Sequence, residues 1–131
     1  MSYLLDTNIV IFFFKGRFDI DEKLDAVGIE NCFISEITLA ELKYGAFFSQ
    51  QPEKHITEVE GLLKEIAVIP ITSSIDLYAE EKARLRKAGT LIDDFDLLIG
   101  CTAIANGLTL VTNNTKHFNR LQNIKLEDWT K

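Results

Sequence analysis

Basic charge is scarce in this 131-residue chain: 14 Lys and Arg stand against 20 Asp and Glu, for a formal net charge of -6. That argues against a protein that holds nucleic acid by a broad basic surface. It leaves room for an enzyme whose carboxylates carry divalent ions, since bound ions reverse the local sign, and it suits a basic protein partner. Histidine and cysteine are also rare, two of each. Cys32 and Cys101 lie in apolar surroundings with no pairing or zinc spacing, so they read as buried free thiols. His55 and His117 each stand alone; the first reads as a surface residue and the second as structural. No apolar run approaches the ~20 residues that a membrane-spanning helix needs, and no basic leader precedes an apolar block and a cleavage site. Internal repeats, low-complexity tracts and interior linkers are missing as well. A soluble, cytoplasmic protein with one domain over residues 1–131 and no membrane contact is expected.

What the chain does have is material for a core, with 47% hydrophobic residues. Short apolar runs at residues 3–5, 32–34, 67–71, 108–111 and 124–126 read as buried strands. Helical patterns fall between them. Residues 7–14 follow Thr7 as a predicted N-cap and stop at Lys15-Gly16. A weaker helix covers 19–27 up to Gly28. Residues 37–48 form a long apolar helix, Gln51-Pro52 breaks the chain, and 53–65 are amphipathic. Thr72-Ser73-Ser74 is expected to cap a helix over 75–88 that Gly89 closes. Residues 97–106 form the next helix, with Gly107 as its stop. Phe118 is expected to anchor a turn, and Trp129 to cover the edge of the last strand. At least two of Phe12, Phe13 and Phe14 read as core. Strands alternating with helices predict an α/β fold, three layers with a central parallel sheet of four to five strands.

The polar residues that break this apolar pattern sit near strand ends or in the first helical turns after them. Asp6 ends the first strand, where a stiff tip can hold a cation with little entropy loss; it also reads as a solvated turn acid. Glu41 lies inside an apolar helix, with Ile37, Thr38, Tyr44 and Gly45 as its helical neighbours. A glutamate there costs several kcal/mol unless it is paired or metal-bound; the other reading puts it at a solvent edge beside Lys43. Asp93, Asp94 and Asp96 crowd the start of a helix, where acids also cap amide protons and oppose the positive end of the dipole. Thr112 and Asn114 follow the fourth strand. Right-handed crossovers place all these ends on one edge of a parallel sheet. Carboxylates gathered there repel without a cation, and an oxygen-rich, histidine-poor set suits Mg²⁺ or Mn²⁺. The densest basic run is Lys82, Arg84, Arg86 and Lys87, which reads either as phosphate-contacting or as exposed cations near a helix C-terminus.

Four segments in order, Leu4-Leu5-Asp6-Thr7-Asn8, Ile37-Thr38-Leu39-Ala40-Glu41-Leu42, Asp96-Leu97-Leu98-Ile99-Gly100 and Leu110-Val111-Thr112-Asn113-Asn114-Thr115, resemble the motifs of PIN-domain nucleases. Their spacing and the chain length are similar to the VapC-type toxins of toxin–antitoxin pairs. The resemblance implies a PIN-like fold and a Mg²⁺-dependent endoribonuclease (Mn²⁺ as the other candidate). Asp6, Glu41 and Asp96 would be the catalytic, metal-holding acids and Asn114 a fourth ligand position, with Asp93 or Asp94 able to share the third role. Thr7, Asn8 and Thr112 would support them, and Lys82, Arg84, Arg86 and Lys87 would reach the RNA. It also implies a cognate antitoxin that covers the site, and a homodimer. Gly100 stands where the family usually has alanine, a change expected to be harmless; asparagine at 114 would leave a second metal weakly held. Two other classes stay open: a phosphotransfer domain of the receiver or haloacid-dehalogenase type, and a non-catalytic module that binds RNA or a protein partner.

Overall fold

The computed structural model describes residues 1–131. Five short strands form one parallel sheet: β1 (Tyr3–Leu5), β2 (Cys32–Ser35), β3 (Ala67–Ile69), β4 (Thr109–Val111) and β5 (Lys125–Glu127). Their order is β3-β2-β1-β4-β5. The chain winds outward from β1 to β3, then returns to the other side of β1 for β4 and β5. The strand order therefore reverses between β1 and β4. In open parallel sheets that reversal leaves a crevice at the carboxyl ends of the two strands, because their following connections depart in opposite directions.

Seven helices connect the strands: α1 (Thr7–Phe14), α2 (Ile20–Val27), α3 (Glu36–Phe48), α4 (Pro52–Leu63), α5 (Ile75–Lys87), α6 (Asp94–Ala105) and α7 (Thr115–Phe118). Alternation along β1 shows why helices cover both faces. Tyr3 and Leu5 face one core with Ile9, Leu24, Leu42, Val59 and Trp129, while Leu4 faces another with Leu97, Ile99, Leu110 and Phe118. With all three β1 residues buried, the strand reads as a continuous apolar run, the signature of a parallel sheet packed on both sides. The predicted three-layer α/β architecture with a central parallel sheet is what forms, with five strands. Trp129 packs against Tyr3, with ring centroids 5.5 Å apart. Phe12, Phe13 and Phe14 are half-buried against the first core. Both cysteines are free and buried, and burial pushes the thiols up, Cys32 to about 11 and Cys101 to about 12. No helix is long and apolar enough to cross a membrane.

Several local expectations shift. Asp6, rather than Thr7, caps α1: its Oδ1 accepts from the Thr7 amide at 2.8 Å. The Thr7 side chain is thereby released for a contact across the fold, described below. Thr72-Ser73-Ser74 makes a 3-10 turn with no capping bond to α5; the Ser74 hydroxyl donates to the Ile71 carbonyl at 2.7 Å instead. The third strand ends at Ile69, short of Pro70, since proline has no amide proton to give the ladder. Ser35 supplies a cap the sequence reading passed over, accepting from the Thr38 amide at 3.0 Å.

Gly100 is where α6 presses against the turn after α7. A Cβ added there would stand 2.3 Å from Leu121 Cδ1 and 3.4 Å from Phe118 Cδ1. Leu121 is itself buried, so its side chain has little room to retreat. Gly100→Ala is therefore expected to lose stability despite better helix propensity: overpacking costs ~1–3 kcal/mol against a gain of ~1 kcal/mol. Urea unfolding should show a net loss of about 1 kcal/mol; a gain would mean that Leu121 yields freely.

Candidate active site

The reversal point between β1 and β4 is where the polar residues gather. Asp6 follows β1 directly and Thr112 follows β4 directly. The Thr112 hydroxyl donates to Asp6 Oδ2 at 2.8 Å, and the Asn114 amide donates to Thr112 Oγ1 at 3.0 Å. The other oxygen of Asp6 is held by the Thr7 amide. The carboxylate is thus fixed at both oxygens by groups on two adjacent strand ends. From there the network passes to α3. Thr7 Oγ1 lies 2.7 Å from Glu41 Oε1 and 3.0 Å from Thr38 Oγ1. A carboxylate only accepts, so the Thr7 proton points to Glu41 and orients it. An unbroken chain of hydrogen bonds, Asn114–Thr112–Asp6–Thr7–Glu41, spans three sequence-distant segments.

Asp96, in the first turn of α6, is half-buried, and its Oδ2 lies 3.3 Å from His117 Nε2 on α7. The sequence reading set His117 aside as a lone structural residue; the sheet brings it to the third acid. Nothing local could have signalled this, because the two residues sit on different crossover helices. Thr38, buried and paired with Thr7, is a further member of the network that the sequence marks only as a helical neighbour of Glu41.

The remaining candidates divide. Asp93 caps α6, its Oδ2 accepting from the Phe95 amide at 3.1 Å. Asp94 is exposed and engaged elsewhere, with Lys82 Nζ at 2.9 Å and the Tyr78 hydroxyl donating at 2.9 Å. The Lys82 ammonium holds Asp94 below the usual carboxylate range. Asn8 and Asn114 are exposed, and the Asn114 side chain makes no cap bond to α7. In the basic run, Lys82 is committed to Asp94 and Arg84 to Glu81 and the Arg120 carbonyl. Arg86 and Lys87 are exposed with no ion pair. Glu81, which the sequence reading did not single out, is buried and paired with Arg84; it ties α5 to the turn at Gln122.

Burial pushes the Asp6 carboxyl up to about 6, with Asp96 and Glu41 adding repulsion and the bonds from Thr112 and Thr7 opposing it. Asp96 is also raised, mainly by burial, while His117 pulls it down. Glu41 and Asp96 thus each lie within electrostatic reach of Asp6. No Lys, Arg or His forms an ion pair with Asp6 or Glu41. Negative charge is therefore concentrated at Asp6 and Glu41 with no ion-pairing side chain, while His117 stands against Asp96. No three His, Cys, Asp or Glu side chains close tightly enough to enclose an ion alone, a looser arrangement than the converging pocket expected from the sequence. A hard cation such as Mg²⁺ usually keeps several waters and takes only one or two carboxylates. An all-oxygen donor set without its own cation fits such an ion.

The sequence model of the PIN domain matches residues 3–124. The chain belongs to the PIN-domain family. Within it, the chain is 35% identical over 132 residues to the tRNA(fMet)-specific endonuclease VapC of Shigella flexneri, covering 99% of each. The structure of DNA-bound VapBC from Salmonella typhimurium superposes with a TM-score of 0.92 at 35% identity, covering 98% of each chain. A toxin–antitoxin complex from Klebsiella pneumoniae superposes with a TM-score of 0.69 at 32% identity, covering 94% of this chain and 95% of that one. The resemblance read from the four segments is thus borne out over nearly the whole length of this PIN-domain protein. PIN-domain ribonucleases are metal-dependent in general.

Proposed function

We propose that this PIN-domain protein is a Mg²⁺-dependent endoribonuclease and the toxin of a toxin–antitoxin pair. The observation that carries the reading is the carboxylate group at the β1–β4 crevice, where Asp6 is bonded at both oxygens, senses the charge of Glu41 and Asp96, and like Glu41 has no ion-pair partner. The full-length likeness to a VapC endonuclease and to a toxin–antitoxin complex supports it. Transfer RNA, the substrate in the name of the Shigella flexneri relative, is the RNA to try first.

Asp6, Glu41 and Asp96 would hold the ion, with Asn114 at the rim of the same crevice. A bound divalent ion there would activate water and offset the charge that builds on phosphorus in in-line displacement. The chain itself supplies the positioning. Thr112 and the Thr7 amide hold Asp6 without freedom to rotate. The Thr7 hydroxyl aims Glu41, and His117 restrains Asp96. Such prior orientation removes reorganisation from the reaction step. Arg86 and Lys87, the unpaired half of the basic run, remain available to RNA phosphates. A cognate antitoxin, and a second copy in a homodimer, are the protein partners of this reading. The exposed aromatic surface of Tyr44, Phe47 and Phe48 on α3 is apolar area that such a partner would cover.

The test is incubation of the purified protein with transfer RNA and with total RNA, with Mg²⁺ or with EDTA. Cleavage should require the ion. Glu41→Gln should lower kcat by roughly 10²–10³, as for loss of a preorganised electrostatic group worth ~3–4 kcal/mol. Undiminished cleavage in EDTA, or by Glu41→Gln, would refute the proposal.

A further inference from the structure

A groove of about 610 Å³ starts at Glu41 and runs between α1, α3 and α4. That volume falls in the range that takes nucleotide-sized ligands. Leu42 and Phe14 give it an apolar floor, and Lys15 and Lys54 line it from the end of α1 and the first turn of α4. Both lysines are exposed and neither forms an ion pair. By contrast, Lys82 and Arg84 on α5 are neutralised by Asp94 and Glu81. Glu41 and Glu58 line the groove as well, Glu41 bonded to Thr7 and Glu58 to His55 at 2.7 Å, so in a chain of net charge -6 Lys15 and Lys54 offset these carboxylates and are the lining charges with no partner in the fold. Gly45 lies on the wall of the groove in the middle of α3, and a Cβ there would meet nothing within 4 Å. Glycine is a poor helix-interior residue, and no neighbour in the fold requires it. Its consequence is an open groove one helical turn beyond Glu41.

We propose that this groove seats the single-stranded RNA next to the scissile phosphate, with Lys15 and Lys54 on its backbone and an unstacked base on the apolar floor. The inference deepens the ribonuclease reading and rests on it for the nature of the ligand. A polyanion is the occupant because the two unpaired charges of the lining are both cations and stand on the same groove as apolar side chains that suit a base. The basic run on α5 is then secondary to this path.

The probe is a fluorescently labelled, hydrolysis-resistant 2′-O-methyl phosphorothioate hexaribonucleotide, with Mg²⁺ present and binding followed by anisotropy at several salt concentrations. Lys15→Gln with Lys54→Gln should weaken binding at least ~10-fold. It should also make the log–log salt slope shallower by about 1.4, at ~0.7 for each lost phosphate contact on a single strand. Gly45→Phe should block binding to a similar degree. A cooperative thermal melt of Gly45→Phe close to that of the wild type separates plugging from misfolding. Lys125→Gln, on the edge strand β5, should leave the slope unchanged. Unaltered affinity and slope in the double lysine variant overturn the proposal. So does unaltered binding by a folded Gly45→Phe variant, which would leave the groove to a protein segment. A wild-type protein that binds the probe in this way but cleaves no RNA would refute the ribonuclease reading and leave the groove assignment standing.

Discussion

Asp6→Asn should cleave RNA at least ~10²-fold more slowly than the wild type and yet, without metal at pH 7.5, unfold at higher urea. The two effects have one cause. Burial raises the Asp6 carboxyl from 3.8 to about 6, so the fold disfavours its charge. Below the unfolded value near 3.8 the carboxyl is protonated in both states and the penalty is absent. Between there and about 6 the unfolded chain ionises first, so stability falls as pH rises. Above about 6 the folded state carries the whole penalty, roughly 3 kcal/mol for a shift of this size. Asparagine keeps the shape and removes the charge, but its amide nitrogen cannot accept one of the two bonds that Thr7 and Thr112 give. The metal-free variant should therefore gain about 1–2 kcal/mol at pH 7.5, the relieved charge penalty less about 1 kcal/mol for the lost bond, and much of the dependence on pH between 4 and 6 should disappear. Added Mg²⁺ should stabilise the wild type and not the variant, since an ion that binds only the folded state adds to its stability. Denaturant titrations at pH 4.5 and 7.5, with and without Mg²⁺, give the four comparisons. A variant that is less stable than the wild type at pH 7.5, or that keeps its activity, would show that Asp6 is an ordinary cap.

Phe118→Ala should produce the largest loss of stability, about 3–5 kcal/mol from the lost ring and the cavity it leaves. A domain of this size has ~5–15 kcal/mol in total. Phe118 is fully buried in the core that holds Leu4, Leu97, Ile99 and Leu110. It closes α7, a helix of only four residues, which has little stability of its own. The ring thus holds α7 against α6 as well as filling space. Its neighbour His117 carries the contact to Asp96, the two rings lying 6.0 Å apart and perpendicular. Cleavage by the folded fraction should fall too, because the third acid loses its restraint. Phe118→Leu, which refills most of the volume, should recover more than half of both losses. A stability loss under ~1 kcal/mol for the alanine variant would mean that the turn collapses into the cavity and that the ring does not position the site.

Much of this could be read along the chain, because the information was local. Five short apolar runs separated by helical patterns announce a parallel sheet, and the reading of Phe118 as a turn anchor agrees with its burial. The errors were at junctions, where one side chain had two possible tasks. Thr7 looked like a cap because its residue type favours one; Asp6 performs the capping, and the Thr7 hydroxyl turns to Glu41. Of the three acids at the start of α6, the family resemblance singles out Asp96 and leaves Asp93 and Asp94 able to share its role. Asp93 caps the helix, Asp94 meets Lys82 and Asp96 faces His117; these assignments depend on what α5 and α7 bring near.

By itself the sequence determined the alternation of strands and helices and the acidic residues at their junctions, since periodicity and residue type act over a few neighbours. Tertiary structure decided the rest. Placing β4 beside β1 brings Thr112 onto Asp6 across 106 positions, and α7 beside α6 sets His117 against Asp96. Partners so far apart in the chain are chosen by strand order and helix packing, which no local pattern encodes.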